Sequence, residues 1–150
     1  MKIWLAYRFT GADIEELRKR LELIRSSFAA IGMTVVTMIQ DIQNWEATRL
    51  PKAEVVRRAY ELMPSCDGCV CIYHDASPSE GRGWDAGFFA ALGKPTVMAL
   101  RDGIALPYHE ALFTENSANV ASGWPSIIRY DDLGEIAPSF WMKMRRERKV

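Results

Sequence analysis

The sequence predicts an α/β fold: a doubly wound, five-stranded parallel sheet in the order 2-1-3-4-5, with helices on both faces. Short apolar runs suited to strands alternate with stretches whose apolar residues recur at three- and four-residue steps, the pattern of successive βαβ units. The run Gly68-Cys69-Val70-Cys71-Ile72-Tyr73 is apolar without alternation, which suits a strand covered on both faces. A stretch carrying two closely spaced glycines, Ser77 to Gly87, follows it and leads into Phe88-Phe89-Ala90-Ala91-Leu92-Gly93. Strand, glycine-rich turn and helix in that order belong at the carboxyl edge of a parallel sheet, where open α/β proteins bind ligands.

Each element has its own local reason. Lys2 to Ala6 is a short apolar strand, and Tyr7-Arg8-Phe9-Thr10-Gly11 is the turn after it. Thr10 with Asp13 three residues on forms a capping box that starts a helix. Ile14, Leu17, Leu21, Ile24, Phe28 and Ile31 make its single apolar stripe, and Gly32 takes the position after the helix end. Met33 to Ile39 is β-branched and reads as the second strand. Gln40 to Leu50 is polar around Trp45 and reads as a loop over the sheet edge. Pro51 suits a first helical position, Val55, Val56, Ala59, Leu62 and Met63 give the second helix, and Pro64 ends it. Gly68 to Tyr73 is the third strand, and the helix after the glycine turn reaches Leu92. Thr96 to Leu100 is the fourth strand and Ser126 to Tyr130 the fifth, with a long irregular region over 101–125 between them. A last amphipathic helix runs from about Pro138 to the basic end, whose Lys143 to Lys149 reads as solvated.

Composition bounds the function. A chain of 150 residues is expected to form one domain that buries roughly 70% of its unfolded surface. Lys plus Arg and Asp plus Glu each number 19, so no global field draws the chain to nucleic acid or membrane. Met1-Lys2-Ile3-Trp4 has no signal-peptide character, and no apolar run approaches the ~20 residues that span a bilayer. A cytoplasmic protein is the expectation. Cys66, Cys69 and Cys71 include a C-x-x-C, but neither His74 nor His109 supplies a second ligand pair for zinc, and the motif enters a strand, where a redox pair would need a helix start. They are expected to be core residues.

The order 2-1-3-4-5, the flavodoxin-like one, reverses between strands one and three. That brings the Tyr7-Arg8-Phe9-Thr10-Gly11 turn beside Ser79-Glu80-Gly81-Arg82-Gly83-Trp84-Asp85, so the two turns are expected to form one pocket. Gly81 and Gly83 let a ligand approach the backbone, unpaired N–H groups at the helix start suit an anion, and Asp85 projects a carboxylate from the first helical turn. Blander readings stand beside these. An acid at a helix start also simply complements the dipole, Arg8 also suits a surface ion pair, and Phe9 and Trp84 also suit packing against the core.

Lys2 to Gly11, Cys66 to Val70, Ser79 to Gly87 and Ala91-Leu92-Gly93-Lys94-Pro95, with a looser echo in Arg129 to Leu133, resemble the nucleoside 2-deoxyribosyltransferase family, including its nucleoside monophosphate N-hydrolase branch. The resemblance implies cleavage of an N-glycosidic bond, no metal or organic cofactor, a nucleoside or nucleotide as partner, and a homo-oligomer of two or more subunits. It puts Asp85 on the carboxylate nucleophile, which attacks C1′ and holds the glycosyl group as an ester; an oxocarbenium-like transition state suits that anion. The helix start is expected to keep it ionised. Ser79 falls where monophosphate hydrolases bind the 5′-phosphate. With Arg8, the N–H groups of Phe9 to Gly11, and Gly81 and Gly83, it favours a nucleotide substrate and hydrolysis over base exchange. Tyr7, Thr10, Glu80 and Trp84 complete the expected binding set. Base transfer and a nucleotide sensor without turnover are the alternatives.

Three positions depart from the family pattern. Aspartate stands for glutamate at Asp85, tryptophan for a tyrosine that restrains the nucleophile at Trp4, and alanine for an acidic proton donor at Ala59. A surviving donor would have to be Asp75, Glu80 or Asp41. Tyr108, His109, Asn116 and Asn119 lie in the long loop, where a neighbouring subunit could use them or solvent could cover them.

Overall fold

The computed structural model describes residues 1–9, 11–46, 49–77, 80–107, 111 and 125–147. Five parallel strands form one sheet in the order β2-β1-β3-β4-β5: β1 (Lys2–Ala6), β2 (Thr34–Thr37), β3 (Gly68–Tyr73), β4 (Thr96–Arg101) and β5 (Ser126–Tyr130). This is the expected order. Register puts Trp4 of β1 beside Cys69 of β3, and Ala6 beside Cys71. All six residues of β3 are buried, as its unbroken apolar run requires of a central strand.

Alternation along the strands sorts side chains to two faces. Ile3, Leu5, Val70, Ile72, Val97 and Ala99 pack beneath α1 (Ile14–Ala30) and, beyond the fifth strand, α4 (Ile136–Glu147). Phe28 and Phe140 join those two helices with ring centroids 5.8 Å apart. Trp4, Ala6, Cys69, Cys71, Tyr73, Met98 and Leu100 face α2 (Lys52–Leu62) and α3 (Glu80–Ala91). The three cysteines are free and buried, Cys66 and Cys69 with Cys71 in the α2/α3 core. Among the described residues no helix is long and apolar enough to cross a membrane.

Several boundaries differ from the expectation, each for a local reason. Asp13 itself caps α1, accepting from Glu16 N at 2.9 Å; Thr10, the expected partner in a capping box, lies outside the described residues. Leu17, Leu21, Ile24 and Phe28 of the stripe are buried, whereas Ile31 is exposed past the helix end. Gly32 closes that end at φ +75°. β2 stops at Thr37 and Met38–Ile42 coils into a π-helical turn. Polar groups end the strand: Thr37 Oγ1 accepts from Gln40 N, and Asp41 Oδ2 accepts from Thr37 N at 2.7 Å. Pro51 sits one residue before α2, where its carbonyl accepts from Val55 N. The helix α4 begins at Ile136, earlier than Pro138, because Asp132 and Glu135 form a capping box on the 3-10 turn Leu133–Glu135 that feeds straight into it. Pro138 then falls in the first turn, where its missing N–H has no partner to lose.

The largest revision concerns α3. Gly81 and Gly83 are not a glycine turn; the helix starts at Glu80 and both are helical residues of its first turn. Neither has a positive φ, and a Cβ on Gly81 would meet nothing within 4 Å. Asp85 therefore stands in the second turn.

Candidate active site

At the carboxyl edge, the turn after β1 and the end of β3 come together as the strand order requires. Tyr7, Arg8 and Gly11 line a cleft of ≈ 220 Å³ together with His74, Asp75 and Arg82, over the start of α1. Gly11 holds φ +72°, a conformation that favours glycine, and its Cα lies close to Arg8, whose Nη2 would be 3.9 Å from an added Cβ. Arg8 has no hydrogen-bond or ion-pair partner among the described residues. Phe9 is partly buried against the α1-side core, and its carbonyl accepts from Ala12 N at 3.2 Å.

Asp85 lies on the other side of the sheet edge and is not among the cleft-lining residues. It projects from α3 onto β1, where its Oδ2 accepts a hydrogen bond from Trp4 Nε1 at 3.0 Å. Trp4 is fully buried, so the indole is a fixed donor. Burial pushes the Asp85 carboxyl up to about 6, although the bond from Trp4 pulls it the other way. The helix start was expected to keep this acid ionised. It does not dominate, because Asp85 lies past the first turn, where the dipole is felt, and desolvation is the larger effect. Cys69 lies within reach of that charge; its thiol is raised well above the ordinary value by burial first, then by Cys71 and Asp85.

Trp84 points outward at 66% exposure. Ser79, Thr10, Tyr108, His109, Asn116 and Asn119 lie outside the described residues, as does the side chain of Glu80. Of the expected proton donors, Asp75 does line the cleft, but hydrogen bonds from Ser77, its hydroxyl first and its N–H at 2.8 Å as well, hold its carboxyl below the usual range. Asp41 is engaged at the end of β2 by Thr37 N and stands 3.8 Å from Arg25. Ala59 is buried in the α2/α3 core.

Two residues were missed in the sequence. Arg82 is 3% exposed and reaches between α3, the end of β3 and the cleft. Its Nη1 donates to Ile72 O at 2.9 Å, its Nη2 to Ser77 O at 2.6 Å, and its guanidinium lies 4.1 Å from the Tyr73 ring centroid. The signal was its position three before Asp85, which shares a helix face with it once the helix starts at Glu80. His74, weighed in the sequence only as a metal ligand, lines the cleft with Nδ1 3.3 Å from Tyr130 Oη; burial holds its imidazole below the ordinary value.

The nucleoside 2-deoxyribosyltransferase family model matches residues 3–124, most of the chain. The chain belongs to that family. Three solved structures share the fold. A CMP N-glycosidase from Clostridium botulinum aligns with TM-score 0.64 and 16% identity, covering 95% of this chain and 99% of its own. A 2-deoxyribosyltransferase from Bacillus psychrosaccharolyticus aligns with TM-score 0.64 and 19% identity over 91% and 90%. A conserved protein from Enterococcus faecalis V583 gives 0.59 and 13% over 95% and 98%. Among curated proteins, no sequence matches. Trp4 and Asp85, two of the three positions where the sequence departs from the expected pattern, are in direct contact.

Proposed function

We propose that this chain hydrolyses the N-glycosidic bond of (deoxy)nucleoside 5′-monophosphates, with Asp85 as nucleophile. The observation that carries the reading is the 3.0 Å bond from buried Trp4 to a half-buried Asp85 carboxylate. An acid kept for stability alone would be exposed, or matched by a cation; among the described residues this one is held by a single neutral donor, at a cost from burial. Ionised Asp85 attacks C1′ as the C1′–N bond breaks, its electron pair leaving with the base, which takes up a proton. Water then attacks C1′ of the ester, losing a proton, and the carboxylate departs with the electrons of the C1′–O bond. Trp4 orients the second oxygen throughout, and it favours the carboxylate over the ester.

A phosphorylated substrate is supported by Arg8, a cation across the rim from Asp85 that makes no hydrogen bond or close ion pair among the described residues, although the Asp75 carboxylate of the same cleft feels its charge, and by the N–H groups at the start of α3. One structure that shares the fold is named for the cleavage of a nucleoside monophosphate. The test is chromatography of the products from a panel of nucleoside monophosphates and nucleosides, with and without an acceptor base. Free base and sugar phosphate without acceptor is the expected result, lost in Asp85→Ala. Base release only with an acceptor would replace hydrolysis by transfer, and binding without release would leave a sensor.

A further inference from the structure

Arg82 carries a cost that the fold retains. It is 3% exposed, no carboxylate lies within ion-pair distance of it among the described residues, and its Nε has no hydrogen-bond partner there. The Asp75 carboxylate of the same cleft feels its charge but makes no close ion pair with it. A buried cation without a directly paired anion and with an unused donor lowers stability, and an apolar side chain of similar length would fill the space more cheaply. The reason for an arginine must therefore lie in what it holds.

It holds three segments at once. The two Nη atoms bind carbonyls of Ile72, near the end of β3, and of Ser77, in the connection that follows. Stacking on Tyr73 fixes the plane of the guanidinium. The Arg82 carbonyl in turn accepts from the Cys71 thiol at 3.5 Å, so the residue is fastened to β3 by backbone as well as side chain. Asp85 follows three residues later on the same helix face. The height and rotation of α3 that Arg82 fixes are thus those that bring the carboxylate to Trp4. An aspartate is one methylene shorter than a glutamate, a deficit of ~1.5 Å, so its reach depends on where the helix lies.

We propose that Arg82 is a positioning residue that draws the start of α3 onto the sheet edge and thereby sets the reach of the short Asp85 side chain. The proposal rests on the reading of Asp85 as nucleophile, and its test separates the two. Arg82→Met, Arg82→Lys, Asp85→Glu and the double variant Arg82→Met/Asp85→Glu are made in the full chain and checked for folding by thermal melting. A displacement of ~1 Å lowers kcat about 100-fold in Arg82→Met with KM little changed, and the longer acid of the double variant recovers roughly tenfold of that loss. Arg82→Lys, able to keep one carbonyl bond, falls between wild type and Arg82→Met. A rise in KM with kcat unchanged would make Arg82 a ligand contact and overturn the proposal. So would equal losses in the single and double variants. A second readout needs no activity: the Asp85 carboxyl is titrated by carbon-13 NMR, and its midpoint moves towards that of a free aspartate in Arg82→Met, and part of the way in Arg82→Lys. An unmoved midpoint in either folded variant refutes the positioning role. A wild type that hydrolyses no nucleotide would refute only the nucleophile reading.

Discussion

Asp85 and Trp4 set opposing demands on one carboxyl, and both can be measured. The folded value of about 6 lies above the ordinary 3.8, so the folded state binds the proton more tightly than the unfolded one. The stability this gives is fully present below pH 3.8 and is lost as pH rises to about 6 and beyond. A shift of about two units corresponds to roughly 3 kcal/mol at most. Asp85→Asn keeps an oxygen for Trp4 Nε1 and removes the charge. It should raise the melting temperature at pH 7.5 by several degrees while leaving it unchanged near pH 3.5, with activity down at least ~1,000-fold. A melting temperature at pH 7.5 equal to that of wild type would contradict the burial of the ionised acid. In the wild type, kcat/KM should rise through a midpoint near pH 6 as Asp85, the proposed nucleophile, ionises. Trp4→Phe removes the donor that Asp85 has among the described residues, so that limb should move to higher pH, with a stability loss of a few kcal/mol from the space left.

At the scale of the element, α3 separates two readings of the same glycines. As turn residues, Gly81 and Gly83 would resist substitution; as helical residues, Gly81 should welcome it. Its φ is ordinary and an added Cβ has open space, so Gly81→Ala should stabilise by ~0.5–1 kcal/mol in chemical denaturation. Gly68 is the opposite case. A Cβ there would lie 2.8 Å from the carbonyl oxygen of Pro95, which also accepts from Cys69 N, so Gly68→Ala should cost ~1–3 kcal/mol by forcing β3 away from the start of β4. The strands were legible because apolar runs and breakers are local facts, as was the stripe of α1. The start of α3 was not, because paired glycines read as a turn from composition alone. What lets the helix begin at Glu80 includes the Arg82 side chain, bonded to carbonyls that only the folded sheet brings near. The early end of β2 escaped for a similar reason: a β-branched run argues for strand, and the bond from Thr37 N to Asp41 appears only once the chain has turned.

Across the whole molecule, strand order followed from alternation and crossover handedness, and it brought the turn after β1 to the end of β3 as expected. Sequence could not divide that edge into its two sides. The side-chain period along β1 sends Trp4 and Ala6 towards α2 and α3, and Ile3 and Leu5 towards α1, so the acid and the cleft over α1 occupy opposite sides of one rim with Arg82 between them. The acid and its donor are 81 positions apart in the chain. Until β1 is seated between β2 and β3, Asp85 is a commonplace hydrated aspartate. A partly melted chain therefore has no sharpened acid at that position, and heat should extinguish the proposed chemistry and native order in a single sweep.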